Sequence, residues 1–211
     1  MSEIGLEAAG TPLLGFLDRP ANARGVIVFA HGGGSTRFSN RNRYVADELN
    51  LNGYATLLFD LLTTDEYHED KKTGLLRTHV GLLADRLTGA LDWVAAQASL
   101  SSLPVGLIGN DTGAAAALAT AAERPERVRA VVTRGGRPDL AGNALPWVRA
   151  PTLLVVGERD VIVLELNRHA ATFLRCENRI ALVPGAGHLF EEPGTLQSFT
   201  ELARDWFLDW L

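Results

Sequence analysis

A three-layer α/β domain, with a mostly parallel sheet of about seven strands covered by helices on both faces, is the fold class that this sequence predicts. Three observations predict it. Short runs of Val, Ile and Leu alternate with longer amphipathic stretches along the chain. The short runs are rich in Val, Ile and Leu instead of alternating, as strands buried on both faces are. Gly, Pro or Asp follows within a few residues of each, as residues that end strands and open turns do. At 211 residues and 46% hydrophobic, the chain can bury a sizeable core, so a single domain over residues 1–211 is expected.

Taken in order, residues 13–17 read as a first strand, ended by Asp18-Arg19-Pro20. Residues 26–30, 55–59, 105–108, 128–132, 152–156 and 180–183 read as the buried strands. Helices are expected over 43–51, over 75–96 with Leu76, Val80, Leu83, Leu87, Leu91 and Val94 on one face, after Thr112, over 163–174 and over 196–211. The alanine run at 114–117 suits a helix packed tightly behind a turn. The acidic stretch "DEYHEDKK" is expected as a solvated loop, and because no helix or turn fixes its spacing it is not read as a metal site.

Composition narrows the function. The net charge of -5 with interspersed signs gives no basic face for nucleic acid or an anionic membrane. Acids near the N-terminus do not match a signal peptide, and no apolar run is long enough to span a bilayer, so a cytoplasmic protein is expected. Cys176 is the only cysteine, which rules out an internal disulfide and a cysteine metal cluster. A small-molecule substrate is the expected partner; no metal or cofactor is called for, and oligomeric state is not legible.

In such sheets chemistry collects in the loops at the carboxyl ends of strands. The stretch "GLIGNDTGAAAAL" has the outline of a strand, a sharp turn and a helix, as in G-x-S-x-G, where flanking glycines make room for a strained apex residue. The apex here is Asp111. Upstream, His31-Gly32-Gly33-Gly34 follows a strand and can supply one arm of an oxyanion hole through the Gly33 N–H, with the Thr112 N–H as the other arm. Downstream, Asp160 follows the strand 152–156 and His188 lies in the Gly-rich loop after 180–183. The order elbow, acid, histidine is that of α/β-hydrolases. Asp160 is expected to orient His188, with Glu158 as the alternative acid; His169 falls within a helical pattern.

At these residues the chain resembles the small, cap-less α/β-hydrolases of the dienelactone hydrolase family. The resemblance runs from Leu14-Gly15-Phe16 through "VIVFAHGGGSTRFSNRNRYVADEL", "ATLLFDLLT", "GLIGNDTGAAAAL", "RGGRPDL", "APTLLVVGERD" and "PGAGHLFEEPG". It implies a hydrolase of an ester or lactone, with nucleophile, acid and base at positions 111, 160 and 188. That family carries Ser or Cys at the elbow, so Asp111 is a departure at the reacting position.

A carboxylate that attacks an ester carbonyl is itself the better leaving group, its acid having a pKa of about 3.9, and the intermediate collapses backwards. Ester cleavage is therefore expected to be weak or altered. Attack on an alkyl halide or epoxide would instead leave an alkyl ester that His188 and water could hydrolyse, although residues 134–151 leave too little chain for a helical cap. Non-catalytic binding of a small molecule is the remaining alternative. Arg37 and Arg134, best placed among the arginines near strand ends, are expected to hold a substrate carboxylate.

Overall fold

The computed structural model describes residues 1–32 and 34–211. Among them one sheet of eight strands runs in the order β1-β2-β4-β3-β5-β6-β7-β8. The strands are β1 (Ser2–Ala8), β2 (Thr11–Asp18), β3 (Gly25–Ala30), β4 (Tyr54–Phe59), β5 (Val105–Asn110), β6 (Val128–Arg134), β7 (Thr152–Gly157) and β8 (Asn178–Val183). β2 runs antiparallel to both of its neighbours, and every pairing from β4 to β8 is parallel.

The apolar strands follow from burial on two sides. Within β3, Val26, Val28 and Ala30 face one core, while Ile27 and Phe29 face the other. The first core is closed by α3 (Val80–Ala96), through Leu83, Leu87, Leu91 and Val94, and by the alanines of α4 (Thr112–Glu123). The second is closed by α1 (Asn40–Leu51), through Val45 and Leu49, and by α6 (Thr195–Trp210), through Phe199, Ala203 and Phe207. Full burial of a side chain such as Phe207 contributes about 1.5–3 kcal/mol.

Four details differ from expectation. To the seven strands read from the sequence the sheet adds an eighth, because Ile4, Leu6 and Ala8 make β1 a paired edge strand. Its hairpin turns at Ala9 and Gly10, both with positive φ, the geometry that matches strand twist. "DEYHEDKK" is helical: α2 (Thr64–Thr73) starts in a capping box, in which Thr63 Oγ1 accepts the Glu66 N–H and Glu66 accepts the Thr63 N–H. Its acids are then tied by Arg77 to Asp70 and by Arg86 to Glu66. The predicted helix 75–96 is a short 3-10 turn, Leu76–Thr78, followed by α3, whose first turn is capped by His79 Nδ1 accepting the Leu82 N–H at 3.0 Å. α5 (Val161–Ala171) also stops short of the expected residue 174.

Between β6 and β7 the chain makes only short 3-10 turns over Pro138–Trp147, broken at Gly142, and forms no cap. No helix among the described residues is long and apolar enough to cross a membrane.

Candidate active site

The carboxyl ends of β3, β5, β6, β7 and β8 converge on one opening. At its centre is Asp111, held at φ 49° and ψ -125° between β5 and α4. A non-glycine residue with positive φ stores about 1–3 kcal/mol, which the surroundings must over-determine. They do so through the Asp111 carbonyl, which accepts the N–H groups of Ala114 at 3.1 Å and Arg137 at 2.9 Å. Thr112 opens α4 directly behind, so its N–H belongs to the helix end that favours negative charge.

Asp160 and His188 meet: Nδ1 of His188 lies 2.7 Å from Asp160 Oδ2. Asp160 caps α5 at the same time, its Oδ1 accepting the Val163 N–H at 3.4 Å, so one carboxylate is fixed by a helix end and orients the imidazole. The alternative acid, Glu158, accepts the Gly185 N–H at 2.8 Å and braces the turn after β8 instead. The loop bearing His188 is also held by Glu192, which accepts the Gly187 N–H; that bond keeps the Glu192 carboxyl below its ordinary range. His188 and Asp111 line the same cavity of about 100 Å³, together with Gly32, Asn110, Arg134 and Gly135. Gly33, the expected first arm of the oxyanion hole, lies outside the described residues.

His31 is buried, and its tautomer follows from its partners. Leu61 N–H can only donate, so Nε2 accepts it at 3.1 Å, and Nδ1–H donates to the Gly32 carbonyl at 3.1 Å. The neutral ring thereby ties the loop after β3 to the loop after β4. Burial drives its pKa below 6.5, against smaller opposing effects of the Gly32 carbonyl and Asp60. The unfolded chain takes up a proton near pH 6.5 that the folded ring refuses, so stability is full above that pH and falls as pH drops toward the lowered native value. Melting curves between about pH 7.5 and 5 should show this loss in the parent and a smaller one in His31→Asn. Equal slopes in the two proteins would refute the assignment.

The two arginines part company. Arg134, at the end of β6, is 8% exposed and lines the cavity. One nitrogen donates to Asn42 Oδ1 at 2.9 Å, and the guanidinium stacks 5.3 Å from the Phe199 ring centre. Arg37 does not line this cavity: its backbone N–H and guanidinium both engage Asp60, a second nitrogen reaches Glu3, and it stacks on Phe16 and Phe38. That makes Arg37 a clamp between the loop 34–39 and the sheet edge, outside the cavity that Asp111 and His188 line. Arg137 holds Asp139 by two bonds, which chiefly raise its pKa, and also feels the charge of Asp111. Trp147 is exposed and absent from the cavity lining.

Several lining residues were not anticipated. Asn42, in the first turn of α1, accepts from both Asn110 and Arg134. Gly135 has φ +52°, and a Cβ there would sit 3.0 Å from the His188 carbonyl oxygen and 3.6 Å from Nδ1. The glycine pair in "RGGRPD" was the available signal for this close approach, whereas nothing local marks Asn42.

An eight-stranded, mostly parallel sheet with a strained elbow after β5 and an acid–histidine pair after β7 and β8 defines an α/β-hydrolase fold. The description of the dienelactone hydrolase family matches residues 13–208, and the chain belongs to that family. A dienelactone hydrolase from Anabaena variabilis ATCC 29413 superposes with a TM-score of 0.97 at 50% identity, over 100% of this chain and 97% of that one. The esterase domain of a Rhodothermus marinus protein shares the fold at 21% identity and a TM-score of 0.78, over 99% and 98% of the two chains. A Mycobacterium tuberculosis protein, named provisionally as a phosphoribosyl transferase, is 52% identical over 209 residues, 99% of this chain. The chain spans about half the length of that relative, 46%.

Proposed function

We propose that this protein is a hydrolase of small ester or lactone-like substrates, whose carbonyl chemistry is held at a low level by the carboxylate at the elbow. The observation that carries the reading is the placement of Asp111 at positive φ in the cavity that His188, bonded to Asp160, also lines. The transferase name belongs to a relative of which this chain spans 46%. Asp160 fixes the imidazole so that Nε2 can take and return a proton, and the Thr112 N–H offers one donor to a developing oxyanion. The cavity of about 100 Å³, with no cap above it, suits a small acyl group.

Attack by Asp111 on an ester gives an intermediate whose best leaving group is Asp111 itself, so turnover stalls at the first step. A halide or epoxide substrate would escape this, but among the described lining residues there is no Trp or Tyr to receive the departing halide or oxygen. The experiment is hydrolysis of p-nitrophenyl acetate by Asp111→Ser, set beside the parent and Asp111→Ala. A serine variant no faster than the alanine variant, with both folded, would overturn the reading.

A further inference from the structure

The cavity holds a cation that the hydrolytic machinery does not use. Arg134 is 8% exposed, and its guanidinium donates to the neutral Asn42 Oδ1. Burial pushes its pKa down to about 9, and the charge of Arg41 pushes it the same way. Two arginines, one buried and one at the rim, therefore line the same small space. A buried charge of this kind is costly unless something supplies the opposite sign.

The surrounding donors select the shape of that counter-charge. Ser35 and Ser39 line the cavity beside Arg41. Ser39 Oγ accepts the Asn42 N–H at 3.4 Å, which leaves its own proton available to a ligand. Ser39 is also the N-cap of α1, a 12-residue helix with no acidic residue in its first turn, so the helix end adds favourable potential for an anion. The opposing charges are Asp111 on the floor and Glu191, which pairs with Arg41 from the solvent side at 2.6 Å. A carboxylate offers two coplanar oxygens and one charge. Two arginines and two hydroxyls, arranged around a helix end, offer donors from several directions and so match the three oxygens of a phosphate group better.

We infer that Arg134, Arg41, Ser35 and Ser39 form a subsite for the phosphate group of a small phosphorylated substrate. This deepens the hydrolase reading by naming the substrate class, and rests on it only in setting the ligand over Asp111.

The test is calorimetric titration with methyl phosphate and with acetate, near pH 8, where a phosphate monoester is a dianion. Methyl phosphate should bind at least about 10-fold more tightly than acetate to the parent. Arg134→Lys, which keeps the charge but loses the planar fork, should weaken methyl phosphate by about 10-fold, and Arg41→Ala, at the rim, by about 5-fold. Acetate binding as tightly as methyl phosphate, or methyl phosphate indifferent to the arginine changes, overturns the subsite; if Arg134→Lys does not fold, Arg41→Ala decides. Methyl phosphate binding while Asp111→Ser lacks esterase activity overturns the hydrolase reading alone. An active Asp111→Ser that does not bind methyl phosphate overturns the subsite alone.

Discussion

Asp111→Ser is expected to hydrolyse p-nitrophenyl acetate at least about 100-fold faster than the parent, because a complete nucleophile–base–acid unit contributes far more than this and its other members are already in register. His188 is bonded to Asp160 at 2.7 Å and lines the same cavity as position 111, into which the new hydroxyl would open. Serine is smaller than aspartate, and the strained backbone at position 111 is set by the Ala114 and Arg137 N–H groups, which do not depend on the side chain. The leaving-group order also reverses. A serine ester of the acyl group survives until water attacks, whereas the mixed anhydride with Asp111 is less stable than the ester it came from. Adding His188→Ala to Asp111→Ser should abolish the gain. A double variant as active as Asp111→Ser would show that the hydroxyl works without its base, and the assignment of His188 would fall.

Gly113→Ala should destabilise the fold by at least about 3 kcal/mol, lowering Tm by about 6–12 °C in a domain of this size, or prevent folding altogether. A Cβ at position 113 would run into the Ala30 carbonyl oxygen and lie 2.7 Å from both the Ala30 carbonyl carbon and the His31 oxygen. These are backbone atoms of β3 and the loop that follows, so no rotamer change relieves the clash. The contact exists because the first turn of α4 must press against β3 to bring the elbow beside the His31 loop, and the fully buried Ala114 to Ala117 carry the same close packing along the helix. Gly5→Ala in β1, with nothing within 4 Å of the added Cβ and no positive φ, is the control and should melt close to the parent. A Gly113→Ala protein that melts with Gly5→Ala would mean that α4 and β3 are not packed this closely.

Local pattern was enough for the layers of this fold. Residues 26–30 and 152–156 lie within β3 and β7, because a strand covered on both faces needs an unbroken apolar run, and that run is visible without knowing what covers it. The proximity of Asp160 and His188 was legible for a related reason: parallel strands bring their carboxyl ends to one edge, so residues just past 157 and 183 meet whatever helices intervene. Short-range signals that were present but outweighed account for β1 and α2. Ile4, Leu6 and Ala8 alternate as an edge strand should, and Thr63 with Glu66 is a capping box in front of a strongly polar helix.

Only the tertiary structure decided which arginine faces the cavity. Arg37 and Arg134 both fall near strand ends and look equivalent in sequence. The antiparallel insertion of β2 beside β4, however, brings Phe16 and Glu3 to Arg37, with Asp60 from the end of β4, whereas β6 lies at mid-sheet and leaves Arg134 over Phe199 with a neutral Asn42. Asn42 itself comes from a helix 92 residues away in sequence. Charge pairing at these sites depends on strand order, and strand order is a non-local property that no spacing along the chain encodes.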